Sequence, residues 1–267
     1  MIVFPNAKIN LGLNIISRRS DGYHDLETVY YPLPFTDALE MAETGEAGLT
    51  VSGIQVDANP NDNLVLKTYN LVKRDFSLPP VMFHLHKVIP PGRGLGGGSS
   101  DAAFTLKMIN DYFNLGLNHD VLSGYASLIG ADCPFFIENR PVFAESTGDI
   151  LTPLSIDISD YHIVVLDPGC FVSTGEAYEN VVPARPSFCL RELAGIPVEQ
   201  WKDLVVNDFE NTIFEKFPVI NDCKEKLYDL GALYASMSGS GSSVYGIFRQ
   251  FPQNMEKIIQ KGILFAV

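Results

Sequence analysis

A glycine-rich segment, Gly92-Arg-Gly-Leu-Gly-Gly-Gly-Ser-Ser100, has the residue types and spacing that best support chemistry in this sequence. It follows Pro90-Pro91 and precedes a helix-like apolar pattern that begins at Ala102. Glycine lets a backbone amide approach a phosphate oxygen without an intervening Cβ, and the first N–H groups of a helix carry partial positive charge. The segment therefore predicts an anion-binding loop, with Ser99 or Ser100 as the N-cap of the helix.

Several known classes of glycine loop can be compared with this segment. It lacks the lysine of a Walker loop, which excludes a P-loop protein. The spacing Gly92-x-Gly94-x-x-Gly97 matches the dinucleotide fingerprint, so a Rossmann-type NAD(P) dehydrogenase remains an alternative. That fold requires an acidic residue at the end of the next strand, whereas Asp111, at about the right distance, lies inside a helix pattern. A protein kinase is excluded because the chain contains no His-Arg-Asp or Asp-Phe-Gly tripeptide.

Two charged residues are candidates for acid–base chemistry. Asp132 lies in Gly130-Ala-Asp-Cys-Pro-Phe-Phe136, where apolar neighbours favour a partly desolvated carboxylate suited to a general base. The same residue also fits a turn-forming aspartate before a strand. Lys8 belongs to the alternating stretch Ala7–Ile15, whose polar face is either functional or the solvent-facing side of a sheet.

Two further segments carry weaker signals. Ser238-Gly-Ser-Gly-Ser-Ser243 offers free amides and is either a second anion-binding wall or a hairpin turn. Asp21-Gly-Tyr-His24 places two flat side chains after a tight turn, and the sequence provides no metal-binding partners for His24.

Periodicity predicts an α+β protein in two halves that meet near residues 150–160. The predicted strands are Ala7–Ile15, Leu26–Leu33, Val81–Ile89, His162–Leu166 and Val244–Phe248. The predicted helices are Val65–Phe76 behind a cap at Asn61–Asn63, the helix after the glycine segment, Val121–Ile129 and Val219–Leu230.

Composition narrows the class of protein. The 267 residues contain 19 Lys and Arg against 32 Asp and Glu, a formal net charge of −13, which argues against a nucleic-acid binder. No run approaches the roughly 20 apolar residues of a membrane span, and the N-terminus resembles neither a signal nor a transit peptide. Four scattered cysteines fit free thiols. These features predict a cytoplasmic protein without a membrane or nucleic-acid partner.

Taken together and in order, these segments resemble the GHMP kinase superfamily. The resemblance spans residues 5–248 and rests on Pro5–Leu13, Asp21–His24, Pro91–Ala103, Gly130–Phe136 and Ser238–Ser243. It implies a two-domain fold, with an N-terminal ATP-binding domain over 1–153, similar to the second domain of ribosomal protein S5, and a ferredoxin-like C-terminal domain over 154–267. Two segments, Ala7-Lys-Ile-Asn-Leu11 and Asp21–His24, resemble those of the family members that act in non-mevalonate isoprenoid (terpenoid) biosynthesis. Those members phosphorylate a cytidyl-diphosphate polyol.

The resemblance also implies roles for individual residues. Lys8 and Asp132 match the catalytic pair. The substrate positions are Asn10, Tyr23, His24, Thr174 and Tyr178. The ATP positions are Asn63, Lys87, Pro90, Pro91, Gly92, Arg93, Gly94, Leu95, Gly96, Gly97, Gly98, Ser99 and Ser100.

The implied cofactors and the alternatives complete this interpretation. ATP is the implied co-substrate and Mg²⁺ the implied cofactor, with no metal ligands identified, and the implied state is a monomer or weak homodimer. The alternatives are a GHMP kinase that acts on homoserine, mevalonate or a sugar, and a nucleotide-sensing relative that has lost its chemistry. Retention of both Lys8 and Asp132 disfavours the second.

Overall fold

A computed structural model describes residues 1–55, 62–253 and 262–267. The chain forms two compact units, and neither is a continuous half of the sequence. Unit 1 consists of Met1–Lys8, Pro32–Pro91 and Gly96–Arg140; unit 2 consists of Ile9–Tyr31, Gly92–Leu95 and Pro141–Val267. Within the described ranges, none of the helices has both the length and the apolar character needed to cross a bilayer.

The secondary structure of the described residues mixes strands and helices throughout. The strands are β1 (Ile2–Val3), β2 (Asn6–Arg18), β3 (His24–Thr36), β4 (Ala38–Glu43), β5 (Gly48–Gly53), β6 (Val81–Lys87), β7 (Val142–Glu145), β8 (Ile150–Pro153), β9 (His162–Leu166), β10 (Tyr234–Met237), β11 (Val244–Phe248) and β12 (Ile263–Ala266). The helices are α1 (Leu64–Asp75), α2 (Gly97–Tyr112), α3 (His119–Ile129), α4 (Cys133–Glu138), α5 (Thr174–Tyr178), α6 (Trp201–Leu204), α7 (Glu210–Lys216) and α8 (Pro218–Asp229), with 3-10 turns at Leu190–Gly195 and Val198–Gln200.

Unit 1 packs helices against a four-stranded sheet of order β1-β4-β6-β5. Strand β6 is antiparallel to β4 and parallel to β5, and its alternate residues Val81, Phe83 and Leu85 are buried. Helix α1 begins where the Asn63 side chain accepts the Val65 N–H at 2.9 Å, as the sequence predicted. Asn61, the other end of that predicted cap, lies outside the described residues. Helix α2 packs against α1, α3 and α4.

Most residues of the other two sheets belong to unit 2. One has the order β2-β3-β7-β8, and the other has the order β10-β11-β9-β12. Strands β10 and β11 are antiparallel neighbours, so Ser238–Ser243 is the turn of a hairpin. A buried apolar cluster that includes Leu13, Val164 and Phe209 forms the core of this unit.

Four expectations need correction. The polar face of β2 does not face solvent, since Lys8, Asn10 and Asn14 are each buried. Asp132 precedes a helix rather than a strand, because Pro134 fits the first turn of α4, where a fixed φ suits a helix.

The third correction concerns the N-cap of α2. The helix begins at Gly97, with Gly96 as the N-cap in the left-handed region, so Ser99 and Ser100 lie inside the helix. A Cβ on Gly97 would lie 2.8 Å from Ile89 Cγ2, and its absence lets the helix begin three residues before the start that an N-cap at Ser99 predicts.

The fourth expectation, the alternative of a Rossmann-type dehydrogenase, is excluded by the strand directions around the glycine segment. The glycine segment follows β6, whose neighbours are one antiparallel and one parallel strand, and α2 is followed by two more helices. A Rossmann unit requires the helix to lead directly into a parallel neighbouring strand.

Candidate functional site

The glycine segment depends on three left-handed glycines. Gly92, Gly94 and Gly96 have φ angles of 67°, 76° and 71°, a region that other L-residues adopt at a cost. A Cβ on Gly96 would lie 2.9 Å from Phe136 Cζ and 3.0 Å from Lys8 Cγ. Glycine at this position therefore allows both the turn and the close approach of the Lys8 stem to the start of α2.

Lys8 and Asp132 lie together beside the first turn of α2 in unit 1. Lys8 is 3% exposed, and its Nζ lies 3.4 Å from Asp132 Oδ2, whereas the Asp132 side chain is 33% exposed. The buried ammonium thus lies within ion-pairing distance of a solvent-accessible carboxylate. The pair can accept a proton at Asp132 and stabilise negative charge at Lys8, the two tasks of phosphoryl transfer to a hydroxyl.

Cys133 follows Asp132 but does not extend the chemistry of the pair. Its thiol is buried and forms a hydrogen bond with the Ser99 side chain, and burial raises the pKa of the thiol to about 12. A thiol with that pKa stays protonated near neutral pH and is a poor nucleophile.

A buried ion-pair cluster in unit 1 links the end of β6 to the start of α2. Lys87 Nζ lies 2.5 Å from Asp37 Oδ2 and 2.7 Å from Asp101 Oδ2, and all three side chains are buried. The ammonium that the resemblance assigned to ATP is thus paired with two carboxylates. A contact between Lys87 and ATP stays a prediction.

The pH dependence of stability tests whether the carboxyl of Asp101 is buried in this cluster. Burial raises the pKa of its carboxyl from 3.8 to about 7, against the opposing effect of Lys87. The folded protein therefore holds this proton more tightly than the unfolded chain, so the free energy of unfolding falls as the pH rises from about 4 to about 7. We expect the melting temperature of Asp101→Asn, taken relative to that of the wild type, to increase as the pH rises from 5 to 8. A constant difference between the two proteins would contradict the buried, titrating carboxyl.

In unit 2, Arg93 and the hairpin turn hold the first part of the glycine segment. The Arg93 guanidinium donates hydrogen bonds to the Cys170 carbonyl and, at 3.2 Å, to Ser242 Oγ, and lies 3.6 Å from Asp167. Ser238 Oγ donates to the Gly94 carbonyl at 2.8 Å. Several turn amides are engaged internally, because those of Ser238, Gly241 and Ser243 donate to protein carbonyls. A phosphate contact by Arg93 stays a prediction.

Asn10 is likewise anchored within unit 2. Its side-chain amide donates to Thr28 Oγ1 at 2.9 Å, and its backbone carbonyl accepts the Tyr245 hydroxyl at 2.7 Å. Its Oδ1 lies 3.5 Å from Ser238 Oγ. These contacts fix the rotamer of Asn10, and its predicted contact with substrate remains untested.

The aromatic residues of unit 2 form a stack that the sequence did not specify. The rings of His24 and Tyr178 lie 4.9 Å apart at 21°, and Phe209 packs edge-on against Tyr178. Tyr23, next to His24, is 67% exposed. Thr174, which begins α5 next to a Ser173–Glu176 capping box, is also exposed. The structure thus brings two predicted substrate residues together and leaves the Tyr23 ring open to solvent.

The described part of the chain has no cluster of three or more His, Cys, Asp or Glu side chains arranged to hold a metal ion. Magnesium is commonly held by one or two carboxylates together with the phosphates of a nucleotide. Asp132, with its partly exposed carboxylate, is a residue that fits such a shared site.

Sequence reasoning missed the two partners of Lys87 and the anchor of the hairpin turn. Asp37 and Asp101 lie 50 and 14 residues from Lys87 in the chain, in no recognised motif. Asn207 donates from its side chain to the carbonyls of Met237 and Gly239. A signal existed for Asp101, because it is the one charged residue in the stretch Gly97–Leu106 of α2, whose other members are small or apolar.

Comparison with known proteins places this geometry in a family. Residues 63–139 match the family model described as GHMP kinases N terminal domain, and residues 191–261 match the one described as GHMP kinases C terminal. The chain is 52% identical over 250 residues to a 4-diphosphocytidyl-2-C-methyl-D-erythritol kinase of Parabacteroides distasonis, covering 94% of this chain and 92% of the relative. It is also 52% identical, over 252 residues, to the kinase of the same name from Bacteroides thetaiotaomicron, covering 93% and 92%.

Solved structures agree with these matches. A crystal structure of 4-(cytidine 5'-diphospho)-2C-methyl-D-erythritol kinase superposes with a TM-score of 0.81 at 31% identity, covering 92% of this chain and 90% of that chain. Phosphomevalonate kinase of Streptococcus pneumoniae, in complex with phosphomevalonate and AMPPNP, has a TM-score of 0.70 at 14% identity, covering 100% and 99%. The likeness to phosphomevalonate kinase shows the fold alone.

Proposed function

The chain belongs to the GHMP kinase family, and from that premise we propose that it transfers the γ-phosphoryl group of ATP to the 2-hydroxyl of 4-diphosphocytidyl-2-C-methyl-D-erythritol. This is the reaction of a small-molecule kinase of isoprenoid precursor biosynthesis. The observation that carries the proposal is the Lys8–Asp132 pair at 3.4 Å beside the start of α2. Relatives named for this substrate at 52% identity support the choice of acceptor.

The glycine segment and the start of α2 bind the phosphates of ATP in this proposal. Free amides of a helix N-terminus, with the partial positive charge of the helix, favour a bound anion. Lys8 adds a full positive charge beside Gly96, which stabilises the charge that spreads over the phosphoryl oxygens in the transition state. Pro90 to Ser100 are the contacting residues in this assignment, with Asn63 on the adenine side.

Asp132 acts on the acceptor in this proposal. Its carboxylate receives the proton of the hydroxyl as the oxygen attacks the γ-phosphorus, and ADP leaves with the β–γ bridging oxygen. Mg²⁺ bound with ATP would further neutralise phosphate charge, and the Asp132 carboxylate would be a protein ligand for it. No covalent enzyme intermediate is required.

Unit 2 supplies recognition of the cytidyl group in this proposal. Asn10, Tyr23, His24, Thr174 and Tyr178 are the proposed contacts. The exposed Tyr23 ring offers a free face for stacking, and the His24–Tyr178 stack holds two further rings in place. Base–aromatic stacking contributes about 1–3 kcal/mol per base in proteins that bind single-stranded nucleic acid.

A coupled assay of ADP release tests the function and its specificity together. We expect turnover with the cytidyl-diphosphate polyol, and much lower kcat/KM with 2-C-methyl-D-erythritol 4-phosphate, homoserine, mevalonate or a hexose. Tyr23→Ala is expected to raise the KM for the cytidyl substrate about tenfold, the effect of losing about 1.4 kcal/mol of stacking, with the KM for ATP unchanged. Tyr23→Phe keeps the ring and serves as the matched control.

Two results would redirect the assignment. Similar kcat/KM for the cytidyl substrate and the nucleotide-free polyol would show that the base is not recognised. Faster turnover of homoserine, mevalonate or a sugar would identify a different member of the family.

A further inference from the structure

Asp37 holds the strand end from which the glycine segment departs. Its Oδ1 accepts the backbone N–H groups of Val88 at 2.6 Å and Ile89 at 2.9 Å, the two residues after β6. Its Oδ2 accepts a hydrogen bond from Lys87 Nζ at 2.5 Å. Asp37 is 1% exposed, so one buried carboxylate fixes the last residue of β6 and the two residues that follow it.

Asp101 holds the helix at which the segment ends. Lys87 Nζ donates to Asp101 Oδ2 at 2.7 Å, and Asp101 lies just after the first turn of α2. The same ammonium lies 3.3 Å from the position that a Cβ on Gly97 would occupy, so it is packed directly against the start of the helix. One Lys87 side chain therefore links Asp37, which holds the residues after β6, to the first turns of α2 within unit 1.

We propose that Asp37, Lys87 and Asp101 are positioning residues that set the spacing between the end of β6 and the N-terminus of α2, and thereby preform the ATP-binding loop. The proposal rests on the proposed function in that the loop binds ATP. Lys87 acts here through its two ion pairs.

The charge balance of the cluster argues against a purely stabilising role. Two buried carboxylates share one ammonium, and Asp101 Oδ1 has no hydrogen-bond partner among the described residues. Burying ion pairs is expensive, and apolar replacements of similar volume are often equally or more stable. A cluster that carries these costs beneath a ligand-binding loop is better explained by the geometry that it imposes.

Asp101→Ala separates positioning from stability. Lys87 keeps Asp37 as its partner, so no unpaired buried charge remains, and alanine suits a helix. We expect the dissociation constant for ATP, measured by calorimetry without the acceptor, and the KM for ATP to rise about tenfold. The kcat at saturating ATP should change less than about threefold, because ATP binding itself restores the loop.

Three further variants test whether the hydrogen bond from Lys87 Nζ to Asp101 is the positioning contact. Asp101→Asn keeps an oxygen acceptor for Lys87 Nζ and should retain ATP affinity within about threefold of the wild type. Asp101→Leu fills the vacated volume without an acceptor and should bind ATP as weakly as Asp101→Ala. Asp111→Ala makes the same change at an exposed position of α2 and should leave both constants unchanged.

The outcomes distinguish this inference from the function on which it rests. Wild-type ATP affinity in Asp101→Ala, or its recovery in Asp101→Leu, would overturn the positioning role. Weakening of the same size in Asp111→Ala would overturn it too. A wild-type protein that binds no ATP would instead refute the proposed function, a result seen without any variant.

Discussion

Asp132→Asn is expected to lower kcat by about 10²–10⁴-fold, the usual loss when a general acid or base is removed. Asparagine keeps the shape of the side chain at the start of α4 but neither accepts a proton nor carries charge. The KM for the acceptor should change much less, because the interaction lost with the acceptor develops only as the hydroxyl loses its proton. Steady-state kinetics by ADP release measures both quantities.

The control for Asp132 is Asp120→Asn, the same change at an exposed position in the first turn of α3. It should leave kcat unchanged. If Asp132→Asn keeps more than about half of the wild-type kcat, Asp132 is a helix-start residue without a catalytic role, and another group must take the proton.

Much of the fold was predictable from local pattern. The alternation over Ala7–Ile15 identified β2, and apolar spacing identified α1, α3 and α8 close to their observed bounds. What covers the second face of a strand is a tertiary property, so the alternation did not reveal that Lys8 and Asn10 would be buried. Burial gives Lys8 its electrostatic strength, since charges interact more strongly away from water.

The candidate site was predictable in its residues but less so in its geometry. The order of motifs led to the GHMP kinase resemblance, which selected Lys8 and Asp132, and the structure brings those two side chains together. Local spacing could not indicate that Lys87 would pair with Asp37 and Asp101, since such contacts depend on which elements pack against β6. The serine N-cap was wrong for a related reason, as the contact of Gly97 with Ile89 determines where α2 begins.

Lys8 is the second residue for which a large effect on catalysis is expected. Lys8→Met keeps the length of the stem and its packing against Gly96 but removes the charge. Loss of one preorganised group that stabilises transition-state charge typically lowers kcat by about 10²–10³-fold. Steady-state kinetics by ADP release measures this loss.

The matched control for Lys8→Met is Lys107→Met, the same change at a partly buried lysine of α2, which should leave kcat unchanged. A loss of the same size in Lys107→Met would mean that removing any lysine charge near α2 lowers kcat. A kcat of Lys8→Met near the wild-type value would mean that the charge next to Asp132 is structural, because an ammonium that stabilises the transition state cannot be removed without cost to kcat.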